Sequence, residues 1–323
     1  MIQKAIILVV AFLGAVVVAQ AQPAPHVHRI GILAHDVPPP RLLETFREGL
    51  RERGYVEGKN ITIELRNAEG KNERLSALVD ELLRFKVDVI LTVNTPAAQA
   101  AKQATATIPI VLVRVADPVK SGLVPSLAHP GGNVTGLSFL PDELAAKRLQ
   151  LLTELLPGLA RVAVLFNADN LGGIVIMEEM ERASAQLGLQ VLRLPVRGPS
   201  DFAEAFQAAT RARAEALAVL DDAAVTKYRG QILTLAAQHA LPVGSMYKDF
   251  AEAGGLIAYG PNLTAIYRRA AYYVDRILKG AKPADLPVEQ PTQFDLVINL
   301  KTAKQLGITI PPEVLYQADT VIR

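Results

Sequence analysis

The chain contains no cysteine. That absence removes disulfide bridges, thiolate metal sites and cysteine nucleophiles together. A surplus of one charge sign is missing as well. Against 32 Asp and Glu stand 34 Lys and Arg, a net +2, and +1 once Lys4, the only charge in the first twenty residues, is set aside. A balance so near neutral leaves no electrostatic footprint for nucleic acid, which is not expected as a partner. Beyond residue 21 no apolar run is long enough to cross a bilayer. Neither a G-x-G-x-x-G fingerprint nor a G-x-S-x-G nucleophile elbow occurs. Gly54–Lys59 (GYVEGK) approaches a phosphate loop but is one residue short between its glycines. It also has Asn60 in place of Ser or Thr and follows a helical segment. The five histidines are scattered, and the His26-x-His28 pair lacks the acidic or cysteine support of a metal site. No cofactor, metal or catalytic residue is expected.

What is present fits a soluble two-domain chain: 323 residues, 50% hydrophobic and 20% charged. Lys4, the apolar run Ala5–Ala19 and the Ala19-Gln20-Ala21 triplet have the order of a cleaved secretory signal over residues 1–21. With no cysteine following, lipoprotein anchoring is excluded, and a periplasmic location is expected.

The central stretch is Val87–Lys102 (VDVILTVNTPAAQAAK). A short β-branched run predicts a buried strand, which stops at Asn94-Thr95-Pro96 before an Ala-rich helix. Thr95 suits the N-cap and Pro96 the first helical position. The N–H groups of Ala97 and Ala98 then face outward from the positive helix end, where a carboxylate is able to approach. An ordinary turn whose donors meet water satisfies the same pattern.

Around this stretch strands and helices alternate. Strands are expected at His28–Ala34, Ile61–Leu65, Ile108–Val115 and Val134–Leu140, with a short helix near Gly122–Leu127. From Arg161 the alternation begins again through Leu278. Two Rossmann-like α/β lobes with parallel sheets follow from this order. The expected boundaries are 28–138 and 139–290, with a tail at 291–323 crossing back towards the first lobe and creating a multi-crossing hinge.

Ligands of open parallel sheets bind beyond the carboxyl ends of the strands. Those ends carry His35, Asp36, Asn94, Thr95, Asp117, Asn167, Asn170, Asp221, Asp222 and Tyr259. With the Ala97 and Ala98 amides they suit a zwitterion, amine to carboxylates and carboxylate to N–H groups. Helix capping is the competing role for each one singly. Asp221 and Asp222 point to opposite sides of a strand, so one ligand contact and one cap are expected. Arg114 interrupts an apolar strand and needs a partner, either a ligand carboxylate or a neighbouring acid.

Several long runs carry a family resemblance: RIGIL, GYVEGKNITIE, VDVILTVNTPAAQAAKQAT, IPIVLVRVADPVKSGLV, HPGGNVTGLS, AGGLIAYGPN and YRRAAYYVDRILKGAKPADLPVEQPTQFDLVINLKTAKQLGITIPP. Together they resemble the tryptophan/tyrosine-type ABC-transporter substrate-binding proteins. The resemblance implies a type I periplasmic-binding-protein fold, two lobes joined by three crossings and closing on a small molecule. It implies carboxylate binding at Thr95–Ala98, a cleft-facing loop at Ala116–Pro118, and Ser138 on the first crossing. Arg114 departs from the uncharged residue expected there. The implied role is a monomeric solute-binding component that delivers a carboxylate-bearing ligand, an aromatic amino acid or related acid, to a membrane permease. A periplasmic sensor presenting to a membrane receptor is the alternative.

Overall fold

Every residue of Val89–Val93 is buried, which requires a strand covered on both faces. It is the middle of the first of two sheets in a computed structural model that describes residues 27–138, 141–220 and 222–323. The expected leader and Asp221 lie outside the described residues. The first half runs β1 (His28–Ala34), α1 (Pro40–Arg51), β2 (Ile61–Asn67), α2 (Leu75–Arg84), β3 (Val89–Val93), α3 (Thr95–Ala104), β4 (Ile110–Val115) and β5 (Val134–Ser138). The second half runs α4 (Pro141–Leu155), β6 (Arg161–Asn167), α5 (Leu171–Gln186), β7 (Gln190–Val196), α6 (Phe202–Arg211), β8 (Ala216–Val219), α7 (Ala223–Lys227), α8 (Arg229–Gln238), β9 (Val243–Ser245), α9 (Lys248–Glu252) and β10 (Ile257–Pro261). The C-terminal part adds α10 (Leu263–Leu278), β11 (Phe294–Asn299), α11 (Leu300–Gln305), α12 (Pro312–Gln317) and β12 (Thr320–Ile322).

The first sheet has the order β2-β1-β3-β4-β5, parallel throughout. The second has the order β12-β11-β10-β9-β8-β6-β7, with β11 antiparallel to β10. Helices cover both faces of each sheet, because both faces are apolar. Ile30, Ile32 and Val113 point to one side of the first sheet, Leu33, Ile90 and Leu112 to the other. At the hinge the inner layers of the two lobes merge into one apolar cluster that includes Leu149 and Tyr267.

The C-terminal region departs from expectation in an instructive way. The tail does not cross back to the first lobe. Its strands β11 and β12 extend the second sheet. The crossing is made earlier, by α10, which packs on α1 and on β3, β4 and β5 of the first lobe. Residues 286–289 then run beside β5, with Ser138 N–H donating to Glu289 O and Glu289 N–H to Gly136 O, both at 2.9 Å. The three connections are therefore β5 to α4, β10 to α10, and 289 to β11. A chain that leaves the second sheet at the end of β10 and returns at the same end has to run the opposite way, so β11 is antiparallel.

The hinge is clamped. Arg269 grips Glu289 with two hydrogen bonds, at 2.8 and 2.6 Å, and stacks 3.9 Å over the Tyr272 ring. That guanidinium holds the Glu289 carboxyl below the usual carboxylate range. Burial pushes the neighbouring Tyr273 hydroxyl upward, and it donates to Pro287 O at 2.6 Å.

The expected helix near Gly122–Leu127 is absent, and turns occupy that stretch. Gly122 takes a left-handed φ of 69°, and Pro125 has no N–H to give a helical ladder there.

Candidate functional site

The floor of the cleft is set by an irregularity in β4. Val113 and Val115 face opposite sides of the first sheet, although they are two residues apart. Arg114 between them is the extra residue of a bulge, in the left-handed region at φ 58°. Gly136 makes the close approach possible: a Cβ there would lie 2.3 Å from Leu112 N, and its φ is 125°. The bulge takes Arg114 out of the apolar alternation and turns it to the lobe interface, where it is only 5% exposed.

A chain of polar contacts then runs across the cleft. Asn94 Nδ2 donates to Asp36 Oδ1 at 2.8 Å, and Asp36 Oδ2 is 3.8 Å from the Arg114 guanidinium. Arg114 Nε donates to the Tyr247 hydroxyl at 3.4 Å, and the guanidinium sits 4.9 Å from that ring's centroid. Tyr247 belongs to the second lobe. Asn94 holds φ 76°, ψ 159°, so two adjoining loops of the cleft floor carry strained backbone.

Facing this floor, Asp222 accepts from Asn167 Nδ2 at 2.7 Å and from Asn170 Nδ2 at 2.6 Å. Asn170 Oδ1 in turn caps α5 by accepting from Gly172 N–H at 2.9 Å. The buried Asp222 carboxylate thereby fixes two amides that strand-end reasoning assigned to a ligand.

The lobes are in contact. Lys120 Nζ meets Glu179 Oε1 at 2.5 Å, Arg41 meets Asp249 at 2.6 Å, and Asn72 Nδ2 donates to Asp169 O at 3.0 Å. Thr95 touches Gly172 so closely that a Cβ on the glycine would lie 2.6 Å from Thr95 Oγ1. The space beside Asn94, Thr95, Arg114 and Asn170 is about 10 Å³. A larger cavity of about 540 Å³ remains towards the mouth, between the first-lobe residues Asp36, Glu69 and Lys71 and the second-lobe residues Arg197, Lys227 and Tyr228.

The structure brings together only part of the expected set. Asn94, Thr95, Arg114 and Asn170 share one small space, with Asp36 bonded to it and Asn167 behind it. Thr95 is the first helical residue, not the cap, and its Oγ1 accepts from Ala116 N–H at 3.3 Å. Ala97 and Ala98 are fully buried, and Ala98 N–H donates to Asn94 O at 3.2 Å, so it is not an open donor. Asp117 is turned away to cap its own loop, accepting from the N–H groups of Val119 and Lys120. Tyr259 stacks on Phe294 and lines a separate small space with Arg148 and Ser245. His35 is 1% exposed, and both its ring nitrogens and Ser138 Oγ lack hydrogen-bond partners among the described residues. Tyr247, Lys71 and Lys227 were not anticipated. Tyr247 alone had a usable signal, since it follows the end of β9.

Comparison with known proteins places this geometry. Residues 31–322 match the model of the family described as ABC transporter substrate binding protein. A tyrosine-binding protein of Clostridioides difficile is 27% identical over 264 residues, covering 81% of this chain and 75% of the relative. The Streptococcus pneumonia ABC domain in complex with L-Trp is 28% identical, with a TM-score of 0.86 over 91% of this chain and 99% of that one. A ligand-free, open substrate binding protein from Clostridium difficile, 26% identical and covering 92% and 99%, gives a TM-score of 0.68. Near-equal identity with unequal superposition agrees with the lobe contacts described above: the arrangement is the closed one. The fold is that of the type I periplasmic binding proteins. With a family match over nine-tenths of its length, two α/β lobes and a three-crossing hinge, this chain belongs to the ABC transporter substrate binding protein family.

Proposed function

We propose that this protein is the extracytoplasmic solute-binding component of an ABC importer. It captures a small carboxylate-bearing molecule, an aromatic amino acid or a related acid, and hands it unchanged to a membrane permease. The observation that carries this reading is Arg114: a buried cation on a strained bulge, at the lobe interface, beside the start of α3. Backbone strain of that kind persists where the surroundings over-determine it, and it clusters at ligand clamps. The relatives that bind tyrosine and L-Trp point to the same ligand class.

In this mechanism the first lobe holds the ligand carboxylate through Arg114, beside Asn94 and Thr95. Thr95 fits against the second lobe, and His35, Asp36, Asn94, Ser138, Asn167 and Asn170 complete the surroundings. The ligand stabilises closure only by the contacts it gains in the closed state. Residues 1–21 direct export and are removed, the mature protein works in the periplasm as a monomer, and no reaction is catalysed. Isothermal titration with L-tryptophan, L-tyrosine and aromatic acids tests the proposal, together with chromatography of the recovered ligand. Saturable binding with the ligand intact is expected. Turnover of the ligand, or no binding by any of them, overturns it.

A further inference from the structure

The outer cavity of the cleft carries a charge balance that carboxylate capture at Arg114 does not explain. Of its two acids, Glu69 takes Arg74 at 2.8 Å, while Asp36 accepts from Asn94 at 2.8 Å and shares Arg114, 3.8 Å away, with the ligand carboxylate. Arg197 is occupied by Asp169 at 3.1 Å. Lys71 and Lys227 remain, and neither has an ion-pair partner among the described residues. Lys227 has only the Tyr228 ring, 5.5 Å from its ammonium to the centroid.

These two lysines come from opposite lobes. Lys71 follows β2 in the first, and Lys227 ends α7 in the second. Closing the lobes therefore brings two ammonium groups onto one cavity of about 540 Å³, which lies within the range of small-molecule pockets. Like charges facing each other oppose closure. An anionic group between them reverses the sign of that contribution. Because it touches both lysines only in the closed form, the attraction to the second lysine is gained on closing and acts on the open–closed equilibrium.

We propose that the ligand of this protein carries a second anionic group, set away from the carboxylate at Arg114 and held between Lys71 and Lys227, with Tyr228 flanking the body that joins the two ends. The inference rests on the reading of the cleft as a carboxylate site and narrows the ligand class to molecules with an acid at each end.

The test is titration of two matched pairs at fixed ionic strength: L-tyrosine against O-phospho-L-tyrosine, and benzoate against terephthalate. The pairs separate a phosphate from a carboxylate as the second anion. At least one doubly anionic probe is expected to bind about tenfold or more tightly than its parent, with a preference that weakens as salt is raised. In the Lys71→Gln/Lys227→Gln variant that preference is expected to shrink to within about twofold, while the parent compounds bind at least as tightly as they do to the wild type, because the repulsion that opposes closure is gone. If neither extended probe outbinds its parent, or if the double variant retains the preference, the inference fails and carboxylate capture still stands. If none of the four compounds binds, carboxylate capture fails and the second site falls with it.

Discussion

The Arg114 guanidinium of the first lobe lies 4.9 Å from the centre of the Tyr247 ring of the second, with Nε 3.4 Å from its hydroxyl. At 5% exposure the cation has little water to fall back on, so the aromatic face is part of its solvation. Tyr247→Leu is expected to weaken closure by about 1–2 kcal/mol, whereas Tyr247→Phe keeps the ring face and most of the effect. Small-angle scattering reads this as a larger radius of gyration for the leucine variant alone. Equal expansion in both variants would assign the coupling to the hydroxyl.

Lys120 and Glu179 form a second link between the lobes. The Glu179 side chain is 4% exposed and also pairs with Arg182, while Lys120 is 40% exposed. Glu179→Gln removes a buried charge acceptor and leaves the cations facing a weaker partner. The expected cost to closure is about 2 kcal/mol. Ligand dissociation should accelerate roughly thirtyfold, since 1.4 kcal/mol is a factor of ten. Stopped-flow displacement measures it, and an unchanged off-rate would show that this pair does not govern opening.

Gly172 at the start of α5 has no side chain to hold it off Thr95. Its backbone is not left-handed, so alanine is tolerated within its own helix. The closed form suffers most, since the new Cβ would fall 2.6 Å from Thr95 Oγ1 of the other lobe, against 3.2 Å from the capping Asn170 Oδ1 of its own. Gly172→Ala is therefore expected to weaken ligand binding at least tenfold, with the melting temperature of the free protein kept within about 2 °C. Adding Thr95→Ala removes the clash and should recover part of the loss. A fall in melting temperature equal to the binding loss would indicate a general packing defect.

The Arg269–Glu289 clamp predicts a pH dependence. Its folded carboxyl is held below the unfolded value by Arg269. The stabilisation is thus fully present above the ordinary Glu pKa of about 4.3, and is lost as pH falls through the lower folded value. Both side chains are about two-fifths exposed, which limits the contribution to about 0.5 kcal/mol. Comparing the melting temperatures of wild type and Glu289→Gln should show a gap that is constant near neutrality and closes in acid. A gap that widens below pH 4 would contradict the assignment.

Much of the architecture was legible in the residues. The apolar runs at Ile30–Ala34, Val89–Val93 and Val162–Phe166, each followed by a helical period, give parallel α/β lobes by local rules alone. Part of the cleft was legible for the same reason, because strand ends are where parallel sheets leave backbone and side chains uncovered. Asn94, Thr95, Arg114 and Asn170 meet there. The strand-end rule misjudged Asp117, because an Asp before a turn serves a local cap as readily as a ligand.

The sequence by itself determined the alternation, the two lobes and the polar character of their facing edges, since periodicity and capping act over a few residues. Tertiary structure alone decided which lobe α10 joins, where the hinge crosses, and that β11 runs antiparallel, because these depend on contacts between segments far apart in the chain. It also decided that Arg114 meets Tyr247 across 133 positions and that Lys71 and Lys227 share one cavity. Such pairings are set by how two folded halves close on each other, and nothing in the spacing of either residue records them.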